Sequence, residues 1–456
     1  MAGLQCHKQL WWRVHEPKAS ELAADAWLQN RFTQSTDVGV VARTYVPGAR
    51  YEASFASDEA NVVVDILEGP VVVEVKATNS LKKEHIPDVA IQVHVLRQAG
   101  HAVPRAEVMH LNPKCRFPAL DNLFVREDVT DKVELFLPVV PEVIRAQLAV
   151  LAGPLPDVPI GEHCTRPHRC PFLKRCWPAL PEHHVSTLYT IQRRKVAEYN
   201  SQGIETIHDL PSDFELGVIH ARQVKAVTTG QMVVEPTLGS ALAKFSSPLA
   251  YLDFETVSYA IPRFPGCRPW ENMPVQFSVH REGPTGGRMR FTHSAYLADG
   301  PHDPRPAIAD QLVTAVAGAK RIVAYYATFE RECLRNLAEA APHLAAELLG
   351  ISERLIDLLP LVRNHIYHPD FGGSFSLKKV LPALVPRLSY ADLSINEGET
   401  ASLQLMRLMF EETLEGEVRA ELRRALLAYC ERDTWAMVKL LERIRGFAGN
   451  AQLELF

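Results

Sequence analysis

The sequence predicts an α/β protein of two or three domains. Three observations carry this. Short β-branched runs alternate with a helical run between residues 61 and 111, a strongly apolar strand pattern reopens near residue 249, and 456 residues exceed one ordinary domain of roughly 100–200 residues. A hydrophobic fraction of 47% and a charged fraction of 23% are those of a globular chain. The net charge of −5 gives no bulk positive coat for phosphate backbones, but leaves open an enzyme in which divalent cations neutralise carboxylates and phosphate together. No apolar run approaches the roughly 20 uncharged residues of a membrane helix, and the opening MAGLQCHKQLWWRVHE mixes charge into its apolar positions. A cytoplasmic protein without membrane association is expected.

NVVVDIL and VVVEVKAT read as strands, IPDVAIQVHVLRQAG as a helix and AEVMHL as a strand, together a small mixed sheet with a crossover helix. FLPVVPEV and GPLPDVPIGEH bracket a further helix, and a cysteine cluster follows. From about 182 to 245 the character changes, with a basic helix carrying Arg193, Arg194 and Lys195 and the turn-like GIETIHDLP. LAYLDFETV, VQFSVH, MRFTHSAYL and RIVAYYATF then read as strands, and nearly everything after about residue 329 as amphipathic helix, broken by YHPDFGGSF. Strands first and helices afterwards predict a sheet covered by helices. The expected domains are 1–181, a helical linker 182–245, and 246–456.

Asp65 ends one predicted strand, and Glu74 and Lys76 alternate on the next, so the last two point to one side of the sheet. Two carboxylates and an ammonium that converge suit phosphodiester hydrolysis: the acids hold a divalent cation and the ammonium orients water or stabilises developing charge. Gln92, on the next helix, reaches toward the same cluster. A bare Asp…Glu-x-Lys also suits a salt-bridged strand edge.

Eight cysteines without a recognisable export signal favour reduced thiols or metal ligation over disulfides. Cys164, Cys170 and Cys176 form Cys-x5-Cys-x5-Cys beside Pro171, Phe172 and Trp177, neighbours that suit an iron–sulfur cluster. Zinc is the alternative, with His163, His168 or Cys6 completing a tetrahedral set.

In the second half, Asp253 and Glu255 lie two apart in a strand and so leave one face together. Two acids on an apolar strand are expensive to bury unless a cation neutralises them. Asp433 lies on a predicted helix with Tyr429 one turn earlier on the same face.

These motifs carry two resemblances. Asp65 in VVVDIL, Glu74 and Lys76 in VEVKAT and Gln92 in DVAIQVHVL resemble the PD-(D/E)XK nucleases of the RecB-like branch that includes CRISPR-associated exonucleases with an iron–sulfur cluster. Leu96 stands where that family often has tyrosine, and the family's early histidine has no counterpart. The resemblance implies a restriction-endonuclease-like domain, clasped by Cys6 with Cys164, Cys170 and Cys176 around a 4Fe-4S cluster. GIETIHDLP looks like the hairpin connection of a helix-hairpin-helix segment. Asp253 and Glu255, with Tyr429 and Asp433, resemble the first and third motifs of DEDD exonucleases of the tyrosine subgroup, which have a ribonuclease H-like fold; Glu330, after Phe329, stands for the second motif, with Asp357 a secondary candidate. The whole chain, most distinctively YLDFETVSYAIPRFPGCRPWENMPVQFSVH, resembles an uncharacterised prokaryotic family that joins these two domains.

The resemblances imply a nuclease using Mg2+ or Mn2+, an exonuclease acting on DNA ahead of RNA, in repair, mobile-element or defence processes. An RNA exonuclease, or a protein that grips nucleic acid or a partner without cleaving, are the other readings. Which protein partners it has is unknown from the sequence.

Overall fold

A computed structural model describes residues 2–177, 180–211, 214–285 and 288–453. The chain divides into two compact units, residues 1–179 with 258–271, and residues 180–257 with 272–456. Both are mixed α/β.

The first unit is built on a five-stranded sheet, in spatial order β1 (Arg50–Ala56), β2 (Asn61–Glu68), β3 (Val71–Lys76), β4 (Arg105–Leu111), β5 (Phe124–Asp128). Only β3 and β4 run parallel, and a parallel pair needs a crossover, which the helix His85–Gln98 supplies. Val89, Val93 and Leu96 of that helix pack with Val64, Val72 and Val108 on one face of the sheet. On the other face Ala42, in the helix Ala26–Thr44, meets Ile66, Val73 and Met109. The sequence pattern finds β2, β3, β4 and the crossover helix. It misses β1 and β5, edge strands: RYEASFA does alternate, burying Ala53 and Phe55, but with only small or polar residues around them, and FVRED buries no residue fully.

By length and composition alone the run Thr130–Ala152 is long and apolar enough to cross a membrane, although Asp131, Lys132, Glu134, Glu142 and Arg145 keep it from being an uncharged stretch. It is broken by a 3-10 turn, Leu137–Val139, between the helices Thr130–Phe136 and Val140–Ala152, and its Val133, Val140 and Ile144 are buried in the unit's core.

In the second unit a two-residue strand, β6 (Val233–Val234), pairs with β12 (Ile366–Tyr367). The main sheet has the order β11 (Leu355–Asp357), β10 (Arg321–Ala324), β7 (Leu249–Val257), β8 (Met273–Thr285), β9 (Arg288–Leu297). β7, β8 and β9 form an antiparallel meander, and β10 and β11 add in parallel on the other side of β7. Alternation on β7 sends Ala250, Leu252 and Phe254 to a core shared with Leu312 and Leu334, and Leu249 and Tyr251 to a core shared with Leu440 and Ile444 of the long helix Gly416–Leu453. Residues 182–245, read from the sequence as a linker, contribute Val185, Tyr199, Ile207, Val227 and Phe245 to that second core. The expected strand RIVAYYATF stops at Ala324, because Tyr326 takes a left-handed backbone with φ 73° and turns the chain into the helix Thr328–Ala340. β11 falls inside a stretch read as helical; three residues are too few to show a period of two. In the loop YHPDFGGSF, Gly373 has φ 82° and any Cβ there would lie 1.8 Å from the Thr187 carbonyl oxygen, so no other residue fits.

Leu252 is fully buried, and Leu252→Ala is expected to cost the second unit about 2–5 kcal/mol by chemical denaturation.

Candidate active sites

In the first unit β2 and β3 pair only through Ile66–Glu68 and Val71–Val73, and beyond that they part. The Asp65 carboxylate replaces the missing strand partner: it accepts the Val75 amide at 2.8 Å. Val64 and Leu67 pack on one face and Ile66 on the other, so the alternation of β2 breaks at Asp65. Where the strands part, Glu74 receives Lys76 Nζ at 2.5 Å on one oxygen and Gln92 Nε2 at 2.7 Å on the other. Lys76 also binds Asp88, in the first turn of the crossover helix, at 2.7 Å. The four expected residues therefore converge and Asp88 joins them. Its sequence signal is its place four residues before Gln92 on the same helix face. Leu96 is buried in the core and takes no part.

Glu74 is 6% exposed, and burial, outweighing Lys76 and reinforced by Asp65 and Asp88, pushes its pKa to about 7. Burial also raises Asp65, against the pull of the Val75 amide and Lys76. Burial pulls Lys76 down, but Glu74 and Asp88 together outweigh it, and its ammonium is held above the usual lysine range. The Gln92 carbonyl oxygen is buried without a hydrogen-bond partner. A cluster with two acids driven toward protonation and an orphaned oxygen suits a bound cation.

Beside this cluster lies a cleft of about 820 Å³, whose lining includes Arg13, Arg31, Lys76, Lys82, His168 and Arg169. The last two come from the loop between Cys164 and Cys170. Cys6, Cys164, Cys170 and Cys176 line one small cavity with Trp12 and His163. Cys6 occupies the N-cap of the helix His7–His15 and Cys176 ends a short helix Leu173–Cys176. Gln5 donates to the carbonyls of His163 and His168 at 2.6 Å each, and Arg175 binds Glu16 and Glu21, so the two distant segments are tied together. Burial and the neighbouring sulfurs raise the Cys170 and Cys176 thiols, an effect that a cation taking up the thiolates would reverse. Four thiols against Trp12 and Phe172 fit an iron–sulfur cluster or zinc by donor chemistry.

In the second unit Asp253 and Glu255 leave β7 on the face beneath the long helix, which carries Tyr429 and Asp433. Carboxylate oxygens of Asp253, Glu255 and Asp433 all lie within 4.8 Å of one another. Tyr390 donates to Asp433 at 2.5 Å, Lys378 donates to Tyr429 at 3.0 Å, and the Cys430 thiol approaches Asp253 at 3.4 Å. Burial, then Asp433, Glu255 and Glu330, push Asp253 well above the carboxylate range; burial and Asp433 do the same to Glu255. Asp433 rises to about 6 through burial, restrained by the Tyr390 hydrogen bond and Lys378.

A family model described as "Domain of unknown function (DUF2779)" matches residues 250–376. The match spans Asp253, Glu255, Glu330 and Asp357, and stops before Lys378, Tyr390, Tyr429 and Asp433. No curated protein and no solved structure matches the chain.

Glu330 is 2% exposed in the first turn of its helix, with one oxygen lacking a partner, and burial raises its pKa to about 8. It stands outside the set of three oxygens that meet, though close enough to perturb Asp253 and Glu255. Asp357 serves the backbone instead. It accepts the amides of Tyr326, Ala327 and Leu359 at 2.9–3.2 Å, holding the left-handed turn and capping a helix. Lys378 and Tyr390 escaped sequence reasoning. SFSLKKVL shows a basic helix start but not which lysine turns inward, and Tyr390 sits in a loop without period.

Two outcomes are expected. Glu74 has a folded-state pKa raised from 4.5 to about 7, so its stabilising contribution is full below about pH 4.5 and is lost as pH rises through 7. Metal-free protein should therefore lose on the order of 3 kcal/mol across that window from this one group, and denaturation of Glu74→Gln should lack that component. Asp357→Ala, by orphaning three amides, should cost about 2–3 kcal/mol by denaturant titration.

Proposed function

We propose that the protein is a divalent-cation-dependent nuclease acting on DNA, with an exonuclease-type acid site in the second unit and a PD-(D/E)XK-type site in the first. The observation that carries the reading is the convergence of Asp253, Glu255 and Asp433 within 4.8 Å. Three like charges in a low-dielectric site repel strongly, and an oxygen-only donor set is the preference of Mg2+ or Mn2+. The strand order of the second sheet, an antiparallel meander extended by two parallel strands, supports a ribonuclease H-like fold. The mixed first sheet with its single crossover helix supports a restriction-endonuclease-like one.

Asp253, Glu255 and Asp433 would hold the cations, with the buried Glu330 outside that set but near enough to act on Asp253 and Glu255. Cations bound there would supply Lewis-acid stabilisation of the phosphate and of the leaving oxygen. Tyr390 fixes the rotamer of Asp433. In the metal-free protein burial and the neighbouring Asp433 and Glu255 raise the Tyr429 phenol, and its hydroxyl would be placed to orient the attacking water. Lys378, against both tyrosine rings at 5.0 and 5.5 Å, supplies positive charge at the rim. In the first unit Asp65 and Glu74 would hold a cation and Lys76 would face the phosphate, with the basic cleft receiving the backbone. The four-cysteine clasp would hold a 4Fe-4S cluster in a structural role.

The test is cleavage of end-labelled DNA and RNA with Mn2+. DNA should be shortened from its ends, and Asp253→Asn should slow this at least about a hundredfold. Loss in Lys76→Ala with full activity in Asp253→Asn would move the chemistry to the first unit. Salt-sensitive binding without cleavage in the presence of metal would favour the binding protein. Anaerobically purified protein should be brown and Cys164→Ser colourless; stoichiometric zinc in a colourless wild type would replace the cluster.

A further inference from the structure

We propose that the second unit carries a separate transition-metal site, built from His280, His293 and Glu431 and suited to Zn2+ or a similar borderline divalent cation. His280 on β8 and His293 on β9 are directly opposed in the antiparallel register, and Glu431 reaches them from the long helix. One donor atom from each residue lies within 4.8 Å of the other two. The rings stack 4.6 Å apart at 27°, and His293 Nδ1 is 3.8 Å from Glu431 Oε1. This site does not depend on the nuclease reading.

A stacked histidine pair beside a glutamate also occurs as simple polar packing. What points to a metal is the direction of the ring protons. The Thr434 hydroxyl donates to the Glu431 carbonyl at 3.0 Å, because a carbonyl only accepts. Having spent its one proton, Thr434 accepts from His280 Nδ1 and from the Ser278 hydroxyl, both at 2.8 Å. Ser278, having donated, accepts from His293 Nε2 at 2.9 Å. The chain of hydroxyls therefore places the ring protons on His280 Nδ1 and His293 Nε2, and leaves lone pairs on His280 Nε2 and His293 Nδ1. Anchoring one ring nitrogen by hydrogen bond while the other stays bare is how metal-ligating histidines are oriented.

The surroundings fit. Ser278 and Thr434 are fully buried and His280 is 5% exposed, whereas the His293 and Glu431 side chains are 29% and 49% exposed and leave an entry path. Two imidazoles and a carboxylate select zinc, cobalt or nickel, whereas the all-oxygen set of Asp253, Glu255 and Asp433 suits magnesium or manganese. Glu431 precedes Asp433 by two residues, so an ion held here would pin the long helix to the β8–β9 hairpin at the level where Asp433 leaves it.

The test is Zn2+ uptake by the full chain in equilibrium dialysis, counted per chain, in wild type, His293→Ala, Glu431→Gln, Asp253→Asn and Cys164→Ser. Wild type, Asp253→Asn and Cys164→Ser should share one equivalent that His293→Ala lacks and that Glu431→Gln binds at least about tenfold more weakly. Saturating Zn2+ should also raise the melting temperature of the wild type by more than that of His293→Ala. If His293→Ala does not fold by circular dichroism, Glu431→Gln decides alone. Equal uptake by wild type and both site variants would overturn the proposal. Loss of the equivalent in Asp253→Asn would assign the ion to the acid cluster, and loss in Cys164→Ser to the thiols, and either result would overturn it too.

Discussion

Carboxylates brought together in a place that water barely reaches repel one another and lack solvation, and in both units the surrounding structure is arranged around that problem. In the first, Glu74 is relieved by Lys76 and Gln92 and Asp65 by a backbone amide. In the second, Asp433 leans on Tyr390, while Asp253 and Glu255 have little to offset their mutual field beyond a thiol and the more distant Lys378. The first cluster is nearly balanced by its own lysine, and the second carries a surplus of negative charge. A fixed surplus of this kind is what selects a doubly charged ion over water.

The two clusters reach this state by different backbone devices. In the first sheet neighbouring strands part, and where they part Lys76 and Gln92 close on the buried Glu74 while Asp65 ties off the loose amide. In the second, β7 pairs regularly through Asp253 and its register with β8 shifts just after Glu255; the acids stand on the face where a long helix crosses, and the helix delivers Asp433 and Tyr429 from above. The first device depends on a few hydrogen bonds at one break in a sheet. The second depends on the packing of Leu440, Leu441 and Ile444 against Tyr251, several turns away, which fixes the height of the helix. Mutations remote from the acids are therefore more dangerous to the second site than to the first.

The face of β8 beneath that helix is polar along its length, with Gln276, Ser278, His280 and Glu282 all buried. Burying four polar side chains in succession is costly unless each finds a partner, and the partners are spread over the helix, β7 and β9. The helix is thus located by directional contacts as well as by apolar packing, which fits a position that has to hold donor atoms in register.

The sequence by itself determined the α/β character, the strands bearing Asp65, Glu74, Lys76, Asp253 and Glu255, and the helix face shared by Tyr429 and Asp433, because periods of 2.0 and 3.6 residues fix which neighbours along the chain point together. The edge strand β5 left little trace, since it buries no residue fully; β1 alternates, but its pattern rests on Ala53 and Phe55 alone; and β11 was too short to register. Only the tertiary structure decided which distant groups meet. It brought Asp88 to Lys76 and Tyr390 to Asp433, made Asp357 a cap for backbone amides, and left Glu330 outside the three oxygens that meet. It also folded residues 182–245 into the second core and opposed His280 to His293. Local periodicity specifies direction within an element, whereas the distance between elements comes from how their apolar faces pack, and that information is distributed over the whole chain.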